Sequence, residues 1–145
     1  MQAAEVRVLV ASTIHEVQDL EDERTLVEPL LPNHLVMPRV DLVVIMGGQG
    51  SVSTAMASGT PLIGLPYHGE QELNVALAER QGVGLRMAPQ RATTEALTAA
   101  VRAMLADPTF RENAARVQRL YASCDGAGAA ADAILRFLDG RRAAA

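Results

Sequence analysis

Asp41-Leu42-Val43-Val44-Ile45-Met46-Gly47-Gly48-Gln49-Gly50-Ser51 is the stretch on which the fold turns. Its apolar run, Leu42 to Ile45, reads as a buried strand. Glycines at 47, 48 and 50 follow, and Val52 to Ser58 then reads as a short helix stopped by Gly59. Strand, glycine turn and helix in that order can hold a phosphate group. Glycine lets the main chain approach a ligand, and the first helical amides point at it with the positive end of the helix dipole. Ser51 is the expected N-cap, with Val52, Ala55 and Met56 on one helical face. Further on, Pro66-Tyr67-His68-Gly69-Glu70-Gln71 makes a second polar turn at the end of a second apolar run, Leu62 to Leu65. Two polar turns at strand ends predict one crevice with a phosphate side and a polyol side.

Working outward, Val6 to Ala11 reads as a strand and the acidic stretch Glu16 to Arg24 as an exposed loop. Leu26-Val27 forms a short strand, and Pro32 and Pro38 leave room for a turn or one helical turn. Gln71 to Gln81 reads as a helix with Leu73, Ala76 and Leu77 inward, ended by Gly82, and Val83 to Met87 as a strand. Thr93 or Thr94 caps a helix bearing Leu97, Val101 and Met104. Asp107-Pro108 supplies an N-cap and a first-turn proline for the next, with Phe110, Ala114, Val117 and Tyr121 inward. Asp125 to Gly128 reads as a break before a last helix carrying Ile134, Leu135 and Leu138. The expectation is an α/β fold with a Rossmann-like parallel sheet and helices on both faces. It makes one domain over 1–140, with 141–145 as a frayed tail.

The 145-residue chain is large enough for a real core, and 49% of it is apolar. With a net charge of −4 and few aromatics it has neither a basic footprint nor stacking platforms for nucleic acid. A single cysteine, Cys124, forms no intrachain disulfide, and no window reaches the length of a membrane span. A signal peptide is not legible at the N-terminus, so a cytoplasmic location is expected.

The glycine turn is not a P-loop, because no Lys-Ser/Thr pair follows the glycines. It is a poor dinucleotide fingerprint, since Ser53 stands where the third glycine belongs. An oxidoreductase-type dinucleotide module therefore stays only as a rival. Taken alone, the glycines serve equally as a tight strand-to-helix turn required for geometry.

Taken together, Pro32-Asn33, Asp41 to Ile45, Gly47-Gly48-Gln49-Gly50-Ser51, Gly59-Thr60-Pro61-Leu62, Pro66, Glu70-Gln71 and Asn74 occur in an informative order and spacing. The set resembles the C-terminal, donor-binding domain of family 1 glycosyltransferases, the group of UDP-glycosyltransferases and bacterial macrolide and antibiotic glycosyltransferases. The resemblance runs from Val6 to Leu138 and implies the C-terminal half of a GT-B enzyme, with two Rossmann-like domains. It implies natural-product glycosylation, with transfer of a hexose from a nucleotide-sugar, such as a UDP- or dTDP-hexose, to an acceptor hydroxyl.

The resemblance also assigns roles. Gly47, Gly48, Gln49, Gly50 and Ser51 would hold the donor pyrophosphate, and Glu70 and Gln71 the sugar hydroxyls. That last pairing suits a polyol on its own chemistry, since a carboxylate accepts while an amide donates and accepts. Leu31, Pro32 and Asn33, after Leu30, match the segment lining the nucleobase, and Asn74 would brace the turn. No metal and no cofactor beyond the co-substrate is implied. None of the residues here is expected to be catalytic in proton transfer, because the family's base lies on the N-terminal, acceptor-binding domain.

Some positions depart from the family pattern. Met46 stands where the family usually has a histidine contacting the phosphates, and methionine cannot donate that bond. Losing such a donor can cost roughly 2.7–4 kcal/mol in the transition state. Thr54 replaces the ribose-binding glutamate of plant members and points to a bacterial type. The chain also reads as beginning at the domain's second strand. An excised fragment, a split enzyme with a partner chain, and a truncated frame all fit, as does a non-catalytic homologue. An open sheet edge would then invite self-association.

Among the other groups, His68 beside Glu70 is either a sugar contact or an exposed loop histidine. His15 and His34 have no metal-ligand spacing. The isolated domain is expected to bind nucleotide weakly and turn over nothing.

Overall fold

The computed structural model describes residues 6–12, 15 and 17–142. The chain divides into two units, Met1–Val36 and Met37–Ala145.

In the first unit, β1 (Val8–Ala11) and β2 (Thr25–Glu28) pair in parallel, with Val8 opposite Thr25 and Ala11 opposite Glu28. Both are shorter or longer by a residue or two than the apolar runs that announce them. The acidic stretch between them includes one turn of 3-10 helix, Gln18–Leu20, and Asp19 to Glu23 are exposed. The Arg24 amide donates to the Asp22 carboxylate at 2.8 Å and holds that acid below its ordinary range. Between the two prolines lies the single expected turn, α1 (Asn33–Val36). It is closed by the Pro32 carbonyl, which accepts from the amides of Leu35 and Val36 at 2.8 and 3.1 Å.

The second unit follows a strand–helix alternation. After a 3-10 turn at Met37–Arg39 come β3 (Val43–Ile45), α2 (Gln49–Ser58), β4 (Leu62–Gly64), α3 (Gly69–Arg80) and β5 (Gly84–Arg86). Then follow α4 (Thr94–Ala106), α5 (Pro108–Ala122) and α6 (Gly126–Arg142). The sheet is parallel in the order β3-β4-β5, with Val43 opposite Leu62 and Leu62 opposite Gly84. Parallel neighbours need crossovers, and α2 and α3 provide them. Leu62, Ile63, Val75 and Val83 are fully buried. Leu62 and Val83 pack in one cluster with Met37, Val52, Ala55, Met56, Ala78, Ala114 and Val117.

Local signals set the helix ends. Gly59 closes α2 in the left-handed region, at φ 68°, and Gly82 lies beyond α3 at φ 70°. Thr93 accepts from the Ala96 amide at 3.2 Å, and Asp107 accepts from Thr109 at 2.9 Å ahead of Pro108. Thr109 holds the Asp107 carboxyl below its ordinary value. That cap is complete above the ordinary carboxylate range and is lost as pH falls through the lowered value.

Several expectations fail in detail. The N-cap of α2 is Gly48, so Ser51 lies within the first helical turn. Helix α3 buries Val75 and Ala78, while Leu73 and Leu77 are 60% and 51% exposed. The reason is steric: Gly47 and Gly64 leave a hollow that Val75 enters, and this sets the rotation of the helix. Tyr121 is exposed although Ala114 and Val117 of the same stripe are buried. Asp125 does not break the chain over four residues but starts α6, its carboxylate accepting from the Gly128 amide at 2.9 Å. Ile134, Leu135 and Leu138 of that helix are exposed. It continues through Arg142, into the segment expected to be a tail, and 143–145 lie outside the described residues.

Thr60 is a buried polar residue whose hydroxyl donates to the Met37 carbonyl at 2.6 Å. Thr60→Val leaves that carbonyl only the long bond from the Val40 amide at 3.4 Å and is expected to cost about 1–2 kcal/mol in urea unfolding. A Cβ at Gly64 would lie 2.3 Å from Val75. Gly64→Ala is therefore expected to destabilise by about 1–3 kcal/mol. In a double-mutant cycle Val75→Ala should make the alanine at 64 markedly less costly, whereas additive losses would show that the two sites do not share this space.

Candidate functional site: a glycine turn beside Glu70

Both polar turns lie at carboxyl ends of the second unit's sheet, after β3 and β4. Direct bonds join them. The Gln49 amide donates to Glu70 Oε1 at 3.2 Å, and Asn74 Nδ2 donates to the Gly47 carbonyl at 3.1 Å. Asn74 Nδ2 also donates to Glu70 Oε1 in a short bond. The turns thus form one corner, and Asn74 braces it as expected.

The glycines divide by role. Gly47 has φ 94°, and a Cβ there would come within 2.4 Å of Val75 and 3.1 Å of the Gln71 carbonyl. Architecture alone requires it. Around Gly48 and Gly50 nothing lies within 4 Å of an added Cβ. Packing therefore does not demand glycine at either position, and the space in front of them is open.

Helix α2 starts without a side-chain cap. Its first complete bond runs from the Val52 amide to the Gly48 carbonyl at 3.0 Å. Among the described residues the amides of Gly50 and Ser51 have no acceptor, while that of Gln49 is taken by Glu70. These orphan donors concentrate the positive end of the helix dipole. The Thr54 hydroxyl turns back to the Gly50 carbonyl at 2.8 Å and is not directed to a ligand. Met46, 60% exposed, precedes the turn and brings no polar group to it.

On the other side, α3 begins after His68, whose backbone is extended and whose exposed side chain makes no bond among the described residues. Gln71 Oε1 accepts from the Tyr67 amide at 2.8 Å. Gln71 is the third residue of the helix and reaches back over its start, as in a capping box. Its amide nitrogen stays available as a donor, as Glu70 Oε2 stays available as an acceptor. The sequence signal for the Glu70–Asn74 bond is their four-residue spacing on one helix.

Charge compensation at this corner is unusual in its means. The chain contains no lysine. Arg86, at the end of β5, is held by Glu72 in a short ion pair and by Glu79 at 3.7 Å. No group of three or more His, Cys, Asp or Glu side chains capable of holding a metal exists among the described residues. An anion here would meet main-chain donors, the Ser51 hydroxyl and the dipole of α2. Leu31, Pro32 and Asn33 belong to the first unit: Leu31 is half-buried, Pro32 and Asn33 are exposed, and Asn33 opens α1. No helix among the described residues is long and apolar enough to cross a membrane.

Comparison with known proteins bears on the family and the fold. The family model for the C-terminal domain of erythromycin biosynthesis protein CIII-like proteins matches residues 3–127. The chain is 36% identical over 129 residues to 4'-demethylrebeccamycin synthase of Lentzea aerocolonigenes, covering 88% of this chain and 31% of that protein. Among solved structures, the glycosyltransferase of kitacinnamycin superposes with a TM-score of 0.80 at 24% identity, covering 90% of this chain and 34% of the other. The glycosyltransferase VinC, solved with dTDP, superposes with a TM-score of 0.74 at 21% identity, over 81% and 30% of the two chains. The fold is that of the C-terminal half of a GT-B glycosyltransferase, and the chain spans about a third of the length of such relatives. The chain belongs to the family of erythromycin biosynthesis protein CIII-like C-terminal domains.

Proposed function

We propose that this chain is the donor-binding part of a cytoplasmic, metal-independent glycosyltransferase that moves a hexose from a UDP- or dTDP-sugar to an acceptor hydroxyl. One observation carries the reading: the open glycine turn and Glu70 form a single corner, joined by the 3.2 Å bond from the Gln49 amide. The family match and the antibiotic-synthesis relative support it, as does the dTDP bound by VinC.

On this reading the diphosphate takes the amides of Gly50 and Ser51 and the Ser51 hydroxyl, with Gly48 and Gly50 lacking side chains that would fill its place. Glu70 Oε2 accepts from a sugar hydroxyl, Gln71 donates its amide nitrogen, and His68 stands beside them. By the family resemblance alone, Leu31, Pro32 and Asn33 are the segment assigned to the nucleobase. The acceptor and the base that deprotonates it come from an N-terminal domain or a separate chain. The acceptor oxygen attacks the anomeric carbon in line and the nucleoside diphosphate leaves. The work of this chain is orientation and stabilisation of the leaving charge.

Calorimetry with UDP and dTDP tests the donor site. Gly50→Val should weaken diphosphate binding about tenfold while changing stability by under about 1 kcal/mol, since its side chain enters open space. Tight, Mg-dependent binding of ATP with no binding of UDP or dTDP would overturn the assignment. Met46 favours one alternative, a homologue that has lost productive phosphate contact. Met46→His should raise UDP affinity up to about tenfold in a working donor site by restoring a donor to an anion. No gain at all is the result expected of a scaffold.

A further inference from the structure

We propose that Asn74 is a positioning residue: by tying Glu70 Oε1 to the glycine turn it presents Oε2 to the sugar, and so sets how strongly the hexose adds to diphosphate binding. This rests on the donor-site reading above.

Each hydrogen of Asn74 Nδ2 has a use. One goes to the Gly47 carbonyl at 3.1 Å and the other to Glu70 Oε1. The same Oε1 accepts from the Gln49 amide. Two donors on one oxygen fix the rotation of the carboxylate, which matters because Glu70 is an exposed side chain with several free torsions. Asn74 itself is half-buried, one turn along α3 and directly before the fully buried Val75, so its own position is set by core packing. The buried part of the helix thereby dictates the placing of a carboxylate at its exposed start.

The arrangement also places a negative charge at the start of α2, on the amide that leads the helix. With Oε1 so held, the Gln49 amide is withdrawn from phosphate binding. The charge on Glu70 then opposes a bare diphosphate and is useful only when a sugar is attached. Asn74 and Glu70 together discriminate a nucleotide-sugar from the nucleoside diphosphate left after transfer. Release of the spent nucleotide is favoured by the same charge that accepts the sugar hydroxyl.

The test is a double-mutant cycle on Asn74→Ala and Glu70→Ala, read in two ways on the full chain. In the first, the Gln49 amide is followed by NMR without ligand. Asn74→Ala should move its resonance toward the position it takes in Glu70→Ala and speed its hydrogen exchange. An unmoved Gln49 amide in a folded Asn74→Ala protein overturns the proposal whether or not any nucleotide binds. In the second, UDP-glucose with UDP and dTDP-glucose with dTDP are titrated as parallel pairs, and the pair that binds the wild-type chain is followed. Asn74→Ala should lower the ratio of their affinities by about tenfold. On the Glu70→Ala background it should change that ratio no further. Equal weakening of both ligands by Asn74→Ala would mean a structural brace only and would also overturn the proposal. If the wild-type chain binds none of UDP, UDP-glucose, dTDP and dTDP-glucose, the donor-site reading and the sugar discrimination built on it both fail. The NMR arm then still reports separately on the tie between Asn74 and Glu70. Asn74→Asp, which keeps shape but sets a carboxylate against Glu70, should show the NMR change at least as strongly.

Discussion

Val75 occupies the space that a Cβ would need at either Gly47 or Gly64. The contact draws α3 against the ends of β3 and β4, and the following consequences come from it. Asn74 is brought to the Gly47 carbonyl, and Glu70, one helical turn earlier, meets the start of α2. Two glycines in strand-end positions thus cost local conformational freedom in return for close packing of helix on sheet. The site is a by-product of that packing, and its precision derives from the rigidity of a fully buried valine.

In the proposed donor site this corner would meet an anion with dipoles rather than with cations. With no lysine in the chain and Arg86 held between Glu72 and Glu79, compensation falls to unpaired amides at the start of α2. Main-chain donors cannot be withdrawn or re-aimed, so they bind a phosphate in one orientation only. Glu70 supplies the opposing charge. A site that combines orphan amides with a fixed carboxylate suits a ligand with an anionic part and a hydroxylated part next to each other. Met46 makes the balance more delicate, because the turn is left without a side-chain donor on that side.

Local chemistry made much of the fold legible. Gly59 and Gly82 stop helices because they alone adopt the left-handed region cheaply, and both do so. Thr93 and Asp107-Pro108 start helices through bonds made within three residues. The apolar run after Asp41 could hardly be anything but a strand. The faces of the helices were less legible. Leu73 and Leu77 have the spacing of a buried stripe, yet Val75 and Ala78 are the residues that α3 buries. Periodicity names two candidate faces on such a helix, and the hollow over two glycines selects between them. Ser51 likewise has the chemistry of an N-cap, but the chain has already turned into the helix by Gln49.

The sequence by itself determined the order of strands and helices, the glycine turn with its phosphate-like geometry, the acid–amide pair at 70 and 71, and the family. Each of these is carried by residues close together in the chain or by motifs in a fixed order. Tertiary structure decided which glycines serve packing and which face open space. It also decided that Glu70 occupies the Gln49 amide and that Asn74 ties Glu70 to the Gly47 carbonyl. Those bonds join residues 21 and 27 positions apart. Such contacts depend on the rotation of α3 about its axis, a quantity settled by steric fit against the sheet and invisible to any local rule.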